Sequence, residues 1–202
     1  MRHKVSHRWL HAGVCVLLVG LLGWPPPSSA QLLGGTTTVL GDTGMLTAGT
    51  VDAVDSSADS ASIPSLLTAE APDAAVIGYV DQIDSTSSLT SLDVTIGGVE
   101  ITADSVSAEA LGSLTGGAGS ANSYISNLSI NGVTVPVGGS ANQVIAFPGG
   151  QLVINEQQVL SDGTIVVNAL DATIDGGAEV VVASATAGPS GGDANAVEAT
   201  TP

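Results

Sequence analysis

Apolar and polar residues alternate with a period of two through much of the chain, the spacing of half-buried strands. Leu128, Ile130, Val133 and Val135 carry the apolar beat, with Asn127, Ser129 and Thr134 between them. Asn131-Gly132 interrupts the run. A two-residue type I′ loop needs φ > 0 at both positions, and Asn and Gly accept that at little cost. Such a loop sets Ile130 opposite Val133 and Leu128 opposite Val135, so all four should point to one side. Pro136 then falls at a non-hydrogen-bonded position, which suits a free edge.

The same grammar recurs on both sides. Residues 92–96 and 99–102 flank Gly97-Gly98, a loop that sets Ile96 opposite Val99 and Val94 opposite Ile101. Residues 143–147 and 151–160 flank Pro148-Gly149, which fits type II turn positions. Asp162-Gly163 turns the chain into residues 164–174, and Asp175-Gly176-Gly177 turns it into residues 178–187. Residues 36–40 and 75–80 predict two further strands. Residues 47–73, rich in Ser, Ala and Asp and holding Pro64 and Pro72, predict weak strands and loop. Residues 112–120 predict a flexible connection. No helical period lasts three turns. The prediction is all-β: a single antiparallel β-sandwich or barrel-like domain built from successive hairpins over residues 31–187. Its N-terminal part, 31–73, is weakly patterned. A β-solenoid is the alternative, although no exact repeat is present. Residues 188–202 form a low-complexity tail.

Residues 1–30 stand apart from this pattern. Arg2, Lys4 and Arg8 precede an apolar run from Ala12 to Trp24, and Ser28-Ser29-Ala30 supplies small residues for a peptidase. This is the layout of a secretory signal peptide, with cleavage expected between Ala30 and Gln31. The run is short for a bilayer span, so no stable membrane insertion is expected after cleavage. Cys15 lies inside the apolar run, where a lipoprotein cysteine would follow it.

Processing at that point changes the composition decisively. The 3 basic residues and 3 histidines lie in residues 1–30, as do the lone Cys and both Trp. The formal charge of −16 therefore becomes −19, carried by 19 Asp and Glu. Nucleic acid is excluded as a partner, because nothing neutralises phosphate. Histidine and thiolate metal sites are excluded, as is catalysis by Ser-His-Asp, Cys-His, Lys or Arg. No disulfide can form, so packing alone holds the fold. Tyr79, Tyr124 and Phe147 are the remaining aromatics. The core must be Val, Ile, Leu and Ala with smaller residues, and small residues let two sheets approach closely.

Oxygen ligands remain. Asp52, Asp55 and Asp59 are closely spaced, as are Asp81 and Asp84, and Asp171 and Asp175. Calcium binds loops rich in carboxylates and carbonyls, but no EF-hand loop is present. A solvated acidic surface is the default. Asn155, Glu156 and Gln157 interrupt an apolar run and form a candidate polar site; the competing expectation is a β-bulge or a side-chain network that closes the sheet. Asp42-Thr43-Gly44 imitates an aspartic-protease motif, but that chemistry needs a second carboxylate and the triplet is an ordinary turn sequence. Asn127-Leu128-Ser129 is formally a glycosylation sequon, unused behind a bacterial-type signal.

Several segments resemble the bacterial choice-of-anchor P family of exported proteins. They are residues 98–104, 125–132, 147–150, 152–157, 165–170 and 180–185, in that family's order and spacing across 34–188. The Asn155-Glu156-Gln157 segment is the most specific of them. The resemblance implies a secreted or surface-displayed β domain of unknown biochemical role, often with a C-terminal anchor. After Ala187 there is no LPxTG-type motif, apolar span or basic end, so release or non-covalent retention is expected. The expected function is a non-enzymatic structural or interaction domain of the cell envelope or extracellular matrix, partnered by other surface or matrix proteins and needing no cofactor. The alternative is a Ca2+-dependent binding module for carbohydrate or surface polymer. A carboxylate-only hydrolase would need two acids facing each other in a cleft.

Overall fold

The fold is taken from a computed structural model that describes residues 31–33, 37–42, 52–175 and 177–189. Among these residues there is no helix. The strands are β1 (Gln31–Leu33), β2 (Thr37–Asp42), β3 (Asp52–Ser57), β4 (Ser60–Ile63), β5 (Leu67–Gly78), β6 (Gln82–Ile96) and β7 (Val99–Ser113), then β8 (Ser120–Ser126), β9 (Ser129–Ile130), β10 (Val133–Thr134), β11 (Gln143–Phe147), β12 (Gly150–Val159), β13 (Ile165–Ile174) and β14 (Ala178–Ala187). They form two open sheets. A six-stranded sheet has the order β1-β2-β14-β13-β12-β11. An eight-stranded sheet has the order β10-β9-β7-β6-β5-β3, with β4 beside β5 and β8 beside β7. Every pairing is antiparallel except β2 with β14. The molecule is all-β, as predicted, and the sheets pack face to face.

Turn chemistry sets the registers. Asn131 and Gly132 take φ of 48° and 74°, and Ile130 faces Val133. Asn131 does more than turn. Its Oδ1 accepts from the Glu100 amide at 2.9 Å, and its own amide donates to the Glu100 carbonyl at 2.8 Å, which pins the hairpin tip to β7. Ile96 faces Val99 and Val94 faces Ile101 across Gly97-Gly98. Phe147 faces Gly150 across Pro148-Gly149. One expectation fails at a single residue. Leu128, Ile130 and Val135 are buried, but Val133 is 68% exposed. β10 is two residues long and outermost in its sheet, so nothing covers that position. Pro136 stays exposed there, as a free edge allows.

The largest departure from the sequence pattern lies in β6 and β7, each 15 residues long. The alternation of large apolar residues predicts only their turn-proximal parts. Beyond these the inward positions are Ser85, Ser87, Ala108, Ala110 and Gly112, all buried. They follow the strand period but are too small to register as hydrophobic. The parity also changes. In β6 the inward residues run Ile83, Ser85, Ser87, Leu89, then Leu92, Val94, Ile96; in β7 they run Val99, Ile101, Ala103, then Val106, Ala108, Ala110.

The shift happens at one cross-strand row in each sheet. In the eight-stranded sheet the row is Ser91–Asp104–Asn127, set by the pairs on either side of it. Ser91 and Asn127 have φ of 50° and 52°, and Ala71 at the neighbouring step of β5 has 44°. In the six-stranded sheet the row is Asn155–Ala169–Ala183, where Asn155 and Ala183 have φ of 52° and 53°. A left-handed residue inserted in the same row on alternate strands flips the pleat without slipping the register. Each sheet is therefore creased.

On one side of the creases the layers touch. A Cβ added at Gly112 would stand 2.4 Å from the Ala187 carbonyl carbon, so backbone meets backbone. Ser85 donates its hydroxyl across the gap to the Thr186 carbonyl at 2.7 Å. On the other side Leu92, Val94, Ile101, Leu152, Leu170 and Val180 line a small apolar gap between the sheets. Small residues therefore concentrate where the backbones meet, beside larger ones such as Ile83, Leu89 and Val106.

Two substitutions probe these features. Ser91 is exposed, so Ser91→Gly should leave urea unfolding unchanged or slightly improved, while Ser91→Val should cost about 1–2 kcal/mol by forcing a β-branched residue left-handed. Equal effects would show that the crease stores no strain. Gly112→Ala should cost about 1–3 kcal/mol, because backbone cannot retreat as a side chain can; an unchanged midpoint would mean the sheets are not in contact there.

A carboxyl patch on the outer face of the six-stranded sheet

β13 lies between β12 and β14 and is buried along most of its length. Leu170 and Ala172 point into the core, so Asp171 and Thr173 point out. Across the crease Val167 and Ala169 point inward, so Asn168 also points out. The registers bring partners beside them. Glu156 of β12 faces Asn168, and Glu179 of β14 faces Thr173, one step diagonal to Asp171. Three carboxyls on three adjacent strands thus share one face.

The local chemistry is acceptor-rich. Asn168 donates Nδ2 to Glu156 Oε2 at 2.7 Å. Thr173 donates to Asp171 Oδ1 over a long 3.5 Å. Asp171 and Asn168 are each 7% exposed. Burial, then the nearby negative charge of Glu179 and Glu156, pushes the Asp171 carboxyl up to about 7, and a hydrogen bond with Glu179 adds to the rise. That bond requires a proton on one of the two acids. A carboxyl raised this far by burial is the kind of group that proton-transfer chemistry uses. Here it lies on a sheet face. The apolar gap in the core is lined by no titratable side chain.

The residues singled out from the sequence fall in different places. Asp52 and Asp55 lie on β3, paired to Gly78 and Ala75 of β5; their side chains are outside the described ones. Asp59 is exposed, and its carbonyl accepts from the Ala71 amide at 2.9 Å. Asp81 is exposed between β5 and β6, and its carbonyl takes the Leu114 amide at 2.8 Å. Asp84 is half-buried on β6, with Oδ1 buried and without a hydrogen-bond partner. Among the described residues no three Asp or Glu side chains are grouped to hold a metal ion. Gln31 opens β1. Ala30, and Thr43 and Gly44 of the Asp-Thr-Gly triplet, lie outside the described residues, as do 190–202 of the tail.

Asn155, Glu156 and Gln157 divide between two faces. Asn155 and Gln157 close the seam between the sheets. Gln157 Nε2 donates to the Ala121 carbonyl on β8 and to Asn155 Oδ1, both at 3.0 Å. The Gln157 amide donates to Asn142 Oδ1 at 2.9 Å, and the Asn142 amide donates to the Asn155 carbonyl at 2.9 Å. Asn155 also supplies the left-handed step of the crease. Glu156 alone joins the carboxyl patch. Sequence reasoning found Glu156 and noted Asp171, but missed Asn168 and Glu179. The Asp175–Gly177 turn fixes the register that faces Thr173 with Glu179, and following it would have assembled the patch.

The raised acid makes stability pH-dependent. Folded Asp171 holds its proton up to about 7, against an ordinary value of 3.8. Its protonated form thus favours folding below about pH 4, and that contribution is lost as pH rises through 7. Asp171→Asn should melt higher than wild type at alkaline pH, with the difference shrinking toward zero below about pH 4. A constant difference across the range would show that Asp171 titrates normally.

The chain matches no protein-family model, no curated protein and no solved structure. The resemblance to the choice-of-anchor P family therefore rests on the quoted segments, and no family membership is assigned.

Proposed function

We propose that this protein is an exported, non-enzymatic β domain that acts by contact in the bacterial envelope or matrix. The observation that carries the proposal is the outer face of the eight-stranded sheet. Thr68, Asp93, Thr102 and Ser129 form one cross-strand row there, and Asp73, Ser88, Ser107 and Tyr124 form another. Hydroxyls pair along it: Thr102 with Ser129 at 2.8 Å and Ser105 with Ser126 at 2.7 Å. This is a surface of hydroxyls and carboxylates ordered by cross-strand pairing on either side of the crease, suited to contact with another surface. The signal-like segment 1–30 and the cation-free remainder support export and the absence of most covalent chemistries. No helix among the described residues is long and apolar enough to cross a membrane.

A second reading, a binding module for carbohydrate or surface polymer, draws on Tyr124. Tyr124 is 65% exposed on β8, at the edge end of its row, and an aromatic ring beside hydroxyls and carboxylates can stack on a sugar while its neighbours bond the sugar hydroxyls. Co-sedimentation of the processed protein with washed envelopes and with insoluble polysaccharide separates the two readings. Retention on envelopes that survives Tyr124→Ala favours protein contact. Retention on polysaccharide lost in Tyr124→Ala favours the module, and its loss on chelation adds calcium dependence. Turnover of chromogenic glycosides or peptides, abolished by Asp171→Asn, would overturn the non-enzymatic proposal.

A further inference from the structure

Charge falls along the chain in blocks. Residues 110–155 contain no Asp, Glu, Lys, Arg or His, although the full chain holds 19 acids. That stretch builds β8 to β11 and the first part of β12. The fold gathers it on one flank: β9 and β10 end the eight-stranded sheet, β8 packs over β12 and β13, and β11 ends the six-stranded sheet. On this flank β11 and the residues paired to it, 150–154, carry no charge.

β11 is also an open edge. Phe147 and Gly150 flank a two-residue loop and bond each other. The N–H and C=O groups of Gln143, Ile145 and Phe147 therefore point to β12, and those of Val144 and Ala146 point away. Among the described residues no strand lies on that side. Val144 is 56% exposed, and Ala146 is exposed too. The other edges are blunted in ways that keep strands from pairing. β3 carries Asp52 and Asp55, β1 and β4 have 3 and 4 residues, and β10 has 2 and leads into Pro136. β8 gives its Ala121 carbonyl to Gln157. The 5 residues of β11 hold no charge and no proline, and they pair with β12 without a register shift.

We propose that β11 pairs antiparallel with β11 of a second copy of this chain, joining two six-stranded sheets into one. Two molecules of the same acidic charge repel wherever their acids face, and β11 is the open edge where none do. A basic partner would be drawn to the acid-bearing surfaces instead. Strand parity fixes the register. The outward groups belong to Val144 and Ala146, so Val144 of each copy faces Ala146 of the other, and the two Ile145 side chains meet on the two-fold axis. Sliding the pair one way brings in Pro148, which has no N–H. Sliding it the other way brings in Asn142, whose amide is already given to the Asn155 carbonyl. One short edge from each copy makes a small interface and hence a weak, concentration-dependent dimer. The hydroxyl face of the other sheet stays available in both copies, so the inference stands whether or not that face makes the contacts proposed above.

Sedimentation velocity of the processed protein from about 1 to about 200 μM, at about 0.15 M and about 0.5 M salt, tests this. The mass should rise toward a dimer and no further, and more so at the higher salt, where repulsion between acids is screened. Ala146→Pro removes an outward N–H without touching the β12 ladder, and it should weaken association about tenfold or more. Val144→Glu leaves the backbone intact and should do the same. Val80→Glu, the same change at a position 76% exposed between β5 and β6, should have no effect. Residues 31–202 lack Cys, so Ile145→Cys places one thiol per copy at the axis and should cross-link to a dimer on mild oxidation, while Val80→Cys should not. A protein that stays monomeric at both salts would overturn the inference. So would a dimer that survives both edge variants, an equal loss with Val80→Glu, or Ile145→Cys that does not cross-link.

Discussion

The contact between Gly112 of β7 and the Ala187 backbone of β14 is the constraint the fold is built around. Residues 31–202 hold no Lys, Arg, His or Cys and three aromatic rings, so they can form among themselves no salt bridge to a basic side chain and no disulfide. Cohesion has to come from apolar burial and from dispersion between closely packed small groups. Ser85, Ser87, Ala108 and Ala110 on one sheet and Ala183, Ala185 and Ala187 on the other are buried to 0% exposure, at or beyond the creases on the side where the backbones meet. The Ser85 hydroxyl, tied to the Thr186 carbonyl, shows how a polar residue earns a place in such a contact. Two sheets that touch at one end and enclose leucines at the other cannot both stay regular along their length. The creases through Ser91–Asp104–Asn127 and Asn155–Ala169–Ala183 supply the break.

This division explains what was legible in the sequence. Turns announced themselves wherever a left-handed backbone demanded Asn or Gly, and Asn131-Gly132, Gly97-Gly98 and Pro148-Gly149 fixed their registers correctly. Strand lengths were legible only where large apolar residues marked the inner face. The distal halves of β6 and β7 escaped because Ser85, Ser87, Ala108 and Ala110 carry the strand period in a form that resembles loop composition. The crease hid them further. A parity change between Leu89 and Leu92, or between Ala103 and Val106, looks like lost periodicity unless the neighbouring strands are known to change at the same row. Val133 misled for a simpler reason: alternation predicts a side, and only the tertiary structure says whether that side is covered.

The polar residues follow two policies. At the seam between the sheets, polar side chains bond one another, although Ser123 Oγ on β8 is buried without a hydrogen-bond partner. Asn155, Gln157, Asn142 and the Ala121 carbonyl form a connected network, and Gln143 closes the loop after β10 by donating to the Pro136 carbonyl while accepting the Gly138 amide, both at 2.8 Å. Matched buried groups of this kind fix one arrangement of the strands. Glu156, in the middle of the same tripeptide, belongs to the other policy. It faces outward into a patch where acceptors outnumber donors, next to an acid that must keep its proton to remain comfortable in the sheet.

That mismatch is a cost to folding. A Val or Thr at position 171 would suit the centre of a sheet better than Asp, and the flanking Val153 and Val181 at the same cross-strand row show that the chain can place such residues there. The eight-stranded sheet carries its exposed acids at positions such as Asp93, Glu100 and Glu109, where water screens them. Asp171 is the acid set on a central strand, desolvated and ringed by Glu156 and Glu179. Residues 31–202 hold no Lys, Arg or His to offset that charge. Ionising Asp171 there sets charge beside charge in a desolvated strand, a cost that the apolar burial of Leu170 and Ala172 on the opposite face of β13 has to outweigh.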